Sequence, residues 1–527
     1  MRNKNYGICR ISCSRMISSL CSLTNREVID MKRVLFIFSG LFLCVSLHAQ
    51  IQKGSDIDGV ETGENSGFSV CMSDANTVAI GAPENDVNGG DSGQVRVFSW
   101  SGSQWIQKGE ALNGSAAGDL FGSVLCMPNA NTIAVGAPQN DAADVDAGQV
   151  TIFEWDGFNW FQKGSVLAGE ATPGFFGGLF GSSVDMPNPN TIVVGAPWFD
   201  ETGLATGEVY VYDWNGSDWV QRGESIVGSA FSYFGSVVTM PDPNVIAVAK
   251  QGATAANVGA VTVYEWNNSS WQVKGVAIEG ELAGDYSGNS IDMPDANTIA
   301  ISAIENDGSF PQAGHVRIFQ WDGSAWVQKG SDIDGEAQGD ESGNSVSMPN
   351  ANTIAIGAIL NDGNGMQSGH TRIFTWDGTD WVQLGIDIDG EEEMDQSGHS
   401  VSMPDANTVA IGAIRNDAIN GADFLNEAGH VRVFIINEDF VESEAPFARS
   451  FDVFPNPTQG KCILKIDDSI APTELTLKLY DALGREVWTN TSLSAPTIEL
   501  EIPERAGVYH LSVQSNSSGV VFKIVRE

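Results

Sequence analysis

Between residue 51 and about residue 440, apolar and polar residues alternate in short runs, and the alternation itself recurs. A run beginning at an asparagine and reading Asn76-Thr-Val-Ala-Ile-Gly-Ala returns from Asn131, Asn190, Asn244, Asn297, Asn352 and Asn407, at intervals of 55, 59, 54, 53, 55 and 55 residues. The sixth copy shows the plan. Gly343 to Met348 is a short strand, Pro349 to Asn352 a tight turn, and Thr353 to Ala358 a second strand. The polar stretch Asn361-Asp-Gly-Asn-Gly leads to a third strand, Gly369 to Trp376, with period-two alternation. Asp377-Gly378 then makes a hairpin turn, and Trp381-Val-Gln-Leu-Gly opens a fourth strand. A unit of this size cannot bury its own apolar face, so the copies must stack or close into a ring. Seven units of four strands predict an all-β chain whose residues 50–437 form a seven-bladed β-propeller of four-stranded blades.

The two ends of the array complement each other. The last copy has its third strand, Val431 to Phe434, but no Trp-x-Gln-x-Gly strand after it. Ile51-Gln-Lys-Gly54 matches that missing strand, so the N-terminal segment is expected to close the last blade and remove its free edge. Residues found in every copy read as architecture. Met recurs at 72, 127, 186, 240, 293, 348 and 403. The Trp pairs 100/105, 155/160, 214/219, 266/271, 321/326 and 376/381 flank the hairpins and are expected to hold blade edges or neighbouring blades. Cys71 and Cys126 share one slot, filled later by Asp185, Thr239, Asp292, Ser347 and Ser402; small, partly buried side chains are the leading reading, a disulfide the minor one.

Outside the array the composition changes. Met31-Lys-Arg, the apolar stretch Val34 to Leu47 and Leu47-His-Ala49 read as a secretory signal over 31–49, which makes residues 1–30 an upstream extension foreign to the fold. No later apolar run reaches the ~20 residues needed to span a membrane. The formal net charge is −40, and nearly all the acid excess lies within the repeats. Nucleic acid is thereby excluded as a partner, since phosphate contacts need a basic surface. The acid serves solubility and salt tolerance, or it holds divalent cations.

Particular motifs bring in a family. Phe121-Gly122 is followed by Gly136-Ala137-Pro138, and Phe180-Gly181 by Gly195-Ala196-Pro197. This resembles the FG-GAP repeat of integrin α-subunit propellers and many bacterial surface proteins. Other copies drift, with Ser at 66, 287, 342 and 397 in place of Phe. Integrin-type repeats often hold calcium in an Asp-rich first hairpin. Here that hairpin is only Pro-Asp-Ala-Asn, as at Pro404 to Asn407, too short to wrap an ion that takes 6–8 oxygens. Beyond an acidic linker at 438–449, residues 450–527 carry Pro455, Asn456 and Pro457, then Gly484-Arg485, Gly507, Tyr509 and Lys523. In that order they resemble the type A C-terminal sorting domain of the type IX secretion system of Bacteroidetes. The resemblance implies a small β-sandwich, export across the outer membrane, and the type IX machinery as partner.

Candidate chemistry is sparse. His315, His370 and His430 share a slot held elsewhere by Gln94, Gln149, Glu208 and Ala260, a tolerance that argues against a catalytic base. The loops from second to third strand and from fourth strand to the next blade share one face. There Asp332, Asp334, Glu336, Asp340, Asp387, Asp389, Glu391 and Asp395 form either a solvated acidic surface or weak calcium sites. In repeats three and four the acid thins and aromatics gather. Phe175, Phe176, Trp198, Phe199, Phe231 and Tyr233, with Lys250 beside them, are the candidate ligand-binding residues, against a reading as local packing. The expected function is an exported surface propeller that binds or adheres to an extracellular glycan or protein and catalyses nothing. The alternatives are a polysaccharide-active enzyme with its site in the propeller channel and a structural surface-layer component.

Overall fold

The computed structural model describes residues 49–170, 177–199, 205–251, 257–420 and 423–437, and in the C-terminal region 451–454, 460–466, 475–480, 486–490, 497–503, 507–514 and 519–526. Residues 31–48 of the signal segment, the linker, Phe175, Phe176, the Pro455-Asn456-Pro457 motif and Gly484-Arg485 lie outside the described residues. Among the described residues every regular element is a strand, and no helix is long and apolar enough to cross a membrane.

Seven antiparallel sheets build a propeller, with blades at 69–113, 124–168, 183–227, 234–279, 291–334, 345–389 and 397–437. The second strand of each blade, Thr353–Ala358 for example, is buried at every position, save for the half-buried Lys250 that ends the strand of blade 4. A strand covered on both faces has no polar side to alternate with, which explains its unbroken apolar run. The glycines of the sequence motif have a steric reason. A Cβ on Gly136 would collide with the carbonyl of Gly181 in the next blade, and Gly181 itself holds a φ of +87°. The Phe-Gly of one copy and the Gly-Ala of the copy before it are thus two halves of one contact.

The outer strand departs from the expected single strand. It is broken into two pieces, Trp105–Gln107 and Leu112–Asn113 in the first blade, and both pair with the third strand Gln94–Trp100. Between the pieces the chain turns at Gly109 in a left-handed conformation (φ +80°); the Lys108 amide still donates to Val97 O at 2.7 Å while its side chain reaches out of the blade. That lysine clasps the following blade. In the best-formed case Lys329 Nζ lies 4.9 Å and 5.1 Å from the ring centroids of Trp376 and Trp381. It donates to Ala351 O at 2.5 Å and to Asn352 Oδ1 at 2.8 Å, while Trp381 Nε1 donates back to Lys329 O at 2.8 Å. A cation over a partly desolvated ring contributes about 0.5–2 kcal/mol. Lys53, Lys108, Lys163 and Lys274 repeat the arrangement. At the ring's seam Leu384 stands in the lysine position, and Gln50 Nε2 donates to Leu384 O and Ile386 O instead.

The seam closes as the sequence predicts. Ala49–Gln52 pairs with His430–Asn437, and Ile57–Asp58 pairs with the start of the same strand. A second ring of links runs through the inner strands. The Met127 amide donates to Cys71 Sγ, Met240 to Asp185, Met348 to Asp292, Met403 to Ser347 and Met72 to Ser402. The shared slot therefore needs an acceptor. Cys71 and Cys126 are both free thiols, so the disulfide reading is set aside.

In the C-terminal region a three-stranded and a four-stranded antiparallel sheet enclose one core containing Cys462, Leu464, Leu477, Leu479, Leu500, Tyr509, Leu511 and Ile524. This is the expected small β-sandwich. Tyr509 is buried in it, and Lys523 pairs in register with His510.

Candidate functional site

The loops between second and third strands meet those between blades, through bonds such as Gly390 N to Gly369 O at 2.8 Å. The acid of this face divides into three groups. The turn acids on the opposite side act locally: Asp405 Oδ1, for instance, accepts from the Asn407 amide at 2.8 Å, which closes the short hairpin. Asp340 and Asp395, expected among the calcium ligands, are buried and structural. Asp340 accepts from the Ala337 amide and from Asn361 Nδ2, and Asp395 from the Glu391 and Glu392 amides and Asn416 Nδ2. In each, Oδ2 is already occupied by these donors. Asp334 and Asp389 end outer strands half-buried, and Ser309 donates to Asp334 at 2.7 Å.

The remaining four predicted acids are brought together with partners from other parts of the chain. Asp332 meets Glu281 and His315, Asp387 meets Glu336 and His370, and Glu391 meets Asp56 and His430, with one ligand atom of each residue lying within 4.8 Å of the others. In every trio the histidine opens a third strand, the aspartate lies in the broken outer strand of the same blade, and the glutamate comes from the blade before. Gln328, Gln383 and Gln52 donate to one oxygen of Asp332, Asp387 and Asp56, each at 2.6 Å. Arg317, Arg372 and Arg432 lie 3.5, 3.6 and 3.7 Å from the three glutamates. Burial holds all three histidines below the usual imidazole range, with the neighbouring arginine adding to the effect, to about 4 for His370 and about 3 for His430. The imidazoles are therefore neutral, and the 3.8 Å approach of His315 Nδ1 to Asp332 Oδ2 is not an ion pair. Sequence reasoning passed over Asp56, Glu281 and the histidines. The available signal was co-occurrence across blades.

In the aromatic sector the candidate residues differ in exposure. Trp198 is 38% exposed and stacks at a tilt on Tyr233, with centroids 5.3 Å apart; Phe231 is 56% exposed. Phe231 and Tyr233 hold positive φ values of 59° and 49°, in the loop leading to blade 4. Phe199 is different. It is buried, edge-on to Tyr210 at 6.4 Å, and belongs to the packing between blades 2 and 3. Lys250, half-buried, ends the second strand of blade 4 opposite Phe234.

Two family models match this chain. The FG-GAP repeat matches residues 162–212 and the secretion system C-terminal sorting domain matches residues 452–527. The chain thus carries an FG-GAP propeller repeat and a sorting tail that marks it for export by type IX secretion, to the cell surface or the extracellular space. No curated protein matches it. Solved structures similar to it include a hypothetical selenium-binding protein from Sulfolobus tokodaii, at 9% identity over 66% of this chain and 85% of that one, with a TM-score of 0.39. The β-propeller domain of the Trilobed protease from Pyrococcus furiosus aligns at 9% identity over 72% and 98%, with a TM-score of 0.40. AofleA from Arthrobotrys oligospora aligns at 12% identity over 65% and 91%, with a TM-score of 0.36.

Proposed function

We propose that this chain is an exported binding propeller that takes an extracellular glycan or protein on the aromatic ledge of blades 3 and 4 and performs no reaction of its own. The exposed Trp198–Tyr233 pair, with Phe231 beside it, carries the reading. Flat rings offer apolar faces to a sugar or a partner side chain at low entropic cost. The absence of a catalytic role is supported by the inner strands, where Asp185, Asp292, Ser347 and Ser402 are engaged in blade-to-blade hydrogen bonds.

Glycan-array screening of the mature chain tests this, followed by Trp198→Ala. The variant is expected to keep its melting temperature and to lose at least tenfold in affinity for any ligand found, as a central aromatic contact does. Unchanged affinity in a folded variant would move the site elsewhere, and an unfolded variant would make Trp198 a packing residue.

A further inference from the structure

The three histidine clusters are absent as units from the other four blades. Where the histidine is replaced by Gln94, Gln149, Glu208 or Ala260, the aspartate slot holds Ala111, Val166, Ser225 or Ala277. Histidine and aspartate therefore appear together in blades 5, 6 and 7 and disappear together in the rest. The glutamate is present for all three at 281, 336 and 391; blades 1, 2 and 4 face Val60, Ser115 and Ser229 in that slot, and blade 3 faces Glu170 with neither histidine nor aspartate beside it. Pairing with arginine does not explain the set. Arg96 occupies the arginine position of blade 1 and donates to Asp58 O at 2.9 Å, as Arg317 does to Glu279 O at 2.8 Å, with neither histidine nor aspartate in its blade's slots.

Each cluster is held ready yet leaves donors unused. His315, His370 and His430 are 1% exposed, and their Nε2 atoms have no hydrogen-bond partner among the described residues. His315 Nδ1 is also buried without a partner, and it faces Asp332 Oδ2. A buried polar atom left unpaired costs roughly 1–3 kcal/mol, so a cation that takes up His315 Nδ1, the nitrogen that faces the acid, is favoured. In blade 5 the Gln328 bond fixes Asp332 Oδ1 while Oδ2 faces the imidazole, the outer support that metal-binding carboxylates have.

We propose that these trios are three repeated sites for a divalent first-row transition cation such as zinc, held by one imidazole nitrogen and two carboxylate oxygens. Imidazole selects this class over calcium, which takes oxygen alone. Bonds of about 2.0–2.2 Å place ligand atoms about 3.3 Å apart, so binding requires the exposed glutamate side chain to rotate inward from its present place beside the arginine. Three protein ligands leave coordination positions open to water or to a partner.

Isothermal titration of Zn²⁺ into the full mature chain tests the assignment. Three equivalents are expected, retained against millimolar Ca²⁺. His370→Gln should reduce this to two, and His315→Gln/His370→Gln/His430→Gln should abolish it. Glutamine occupies the same slot in blades 1 and 2, which favours an intact fold. If the glutamine variants melt early, Asp387→Ala, carrying the residue found in blades 1 and 4, should give the same loss of one equivalent. Absence of zinc binding, undiminished binding in the folded triple variant, or displacement by calcium would overturn the proposal.

Discussion

Asp292 occupies the slot where blades 6 and 7 place serine, and it plays the same part, since its carboxyl accepts from the Met348 amide at 2.6 Å. The difference is charge. Burial pushes this carboxyl up to about 7, with the nearby Asp185 adding to the effect. In the unfolded chain the same group titrates near 3.9. Below about pH 4 both states hold the proton. Between about 4 and 7 only the folded state holds it, so stability falls as pH rises across that window and levels off above it. Asp292→Asn keeps an acceptor for Met348 and removes the titration. Its melting temperature relative to the natural chain should therefore be higher at pH 8 than at pH 5, by on the order of 2 °C, as read by scanning calorimetry. An unchanged difference between the two pH values would mean that the carboxyl is ionised and well accommodated.

At the level of elements, closure depends on very little chain. The segment Ala49–Gln52 with Ile57–Asp58 completes blade 7, and Lys53 reaches from it to Trp100 and Trp105 of blade 1. Deleting residues 51–59 should remove an outer strand and one blade-to-blade clasp at once, and lower the melting temperature by on the order of 5 °C or more. An unaltered melting temperature would show the seam to be dispensable. This seam was legible in the sequence because a strand motif missing at one end was present at the other. The Trp pairs were legible as holders for the same reason, repetition. The break in the outer strand was less so: Lys108 and Gly109 match a strand in composition, and only the next blade's rings explain why the lysine turns away. Phe199 and Trp198 are adjacent and equally apolar, yet one is buried and the other exposed, a distinction made by Tyr210 across the sheet. The histidine trios join residues from two blades. A reading of one slot at a time took the variation at His315, His370 and His430 as indifference, when it tracks the aspartate slot beside it.

For the whole molecule, the propeller and the sandwich have separate cores and separate sheets. Removing residues 450–527 should leave the propeller folded, with an unchanged melting transition of its own, and should prevent its appearance on the cell surface of its native host. Surface display of the truncated chain, followed by antibody labelling of intact cells, would contradict the role of the sorting tail. The way the chain leaves the propeller has a mechanical meaning. The last strand, His430–Asn437, is hydrogen-bonded on one edge to Thr408–Ala413 and on the other to the N-terminal segment. Tension arriving through the residues that follow Asn437 therefore loads two ladders in parallel and cannot peel away a single edge strand. The N-terminal segment that completes the ring also acts as the second anchor of the strand by which the propeller would be pulled.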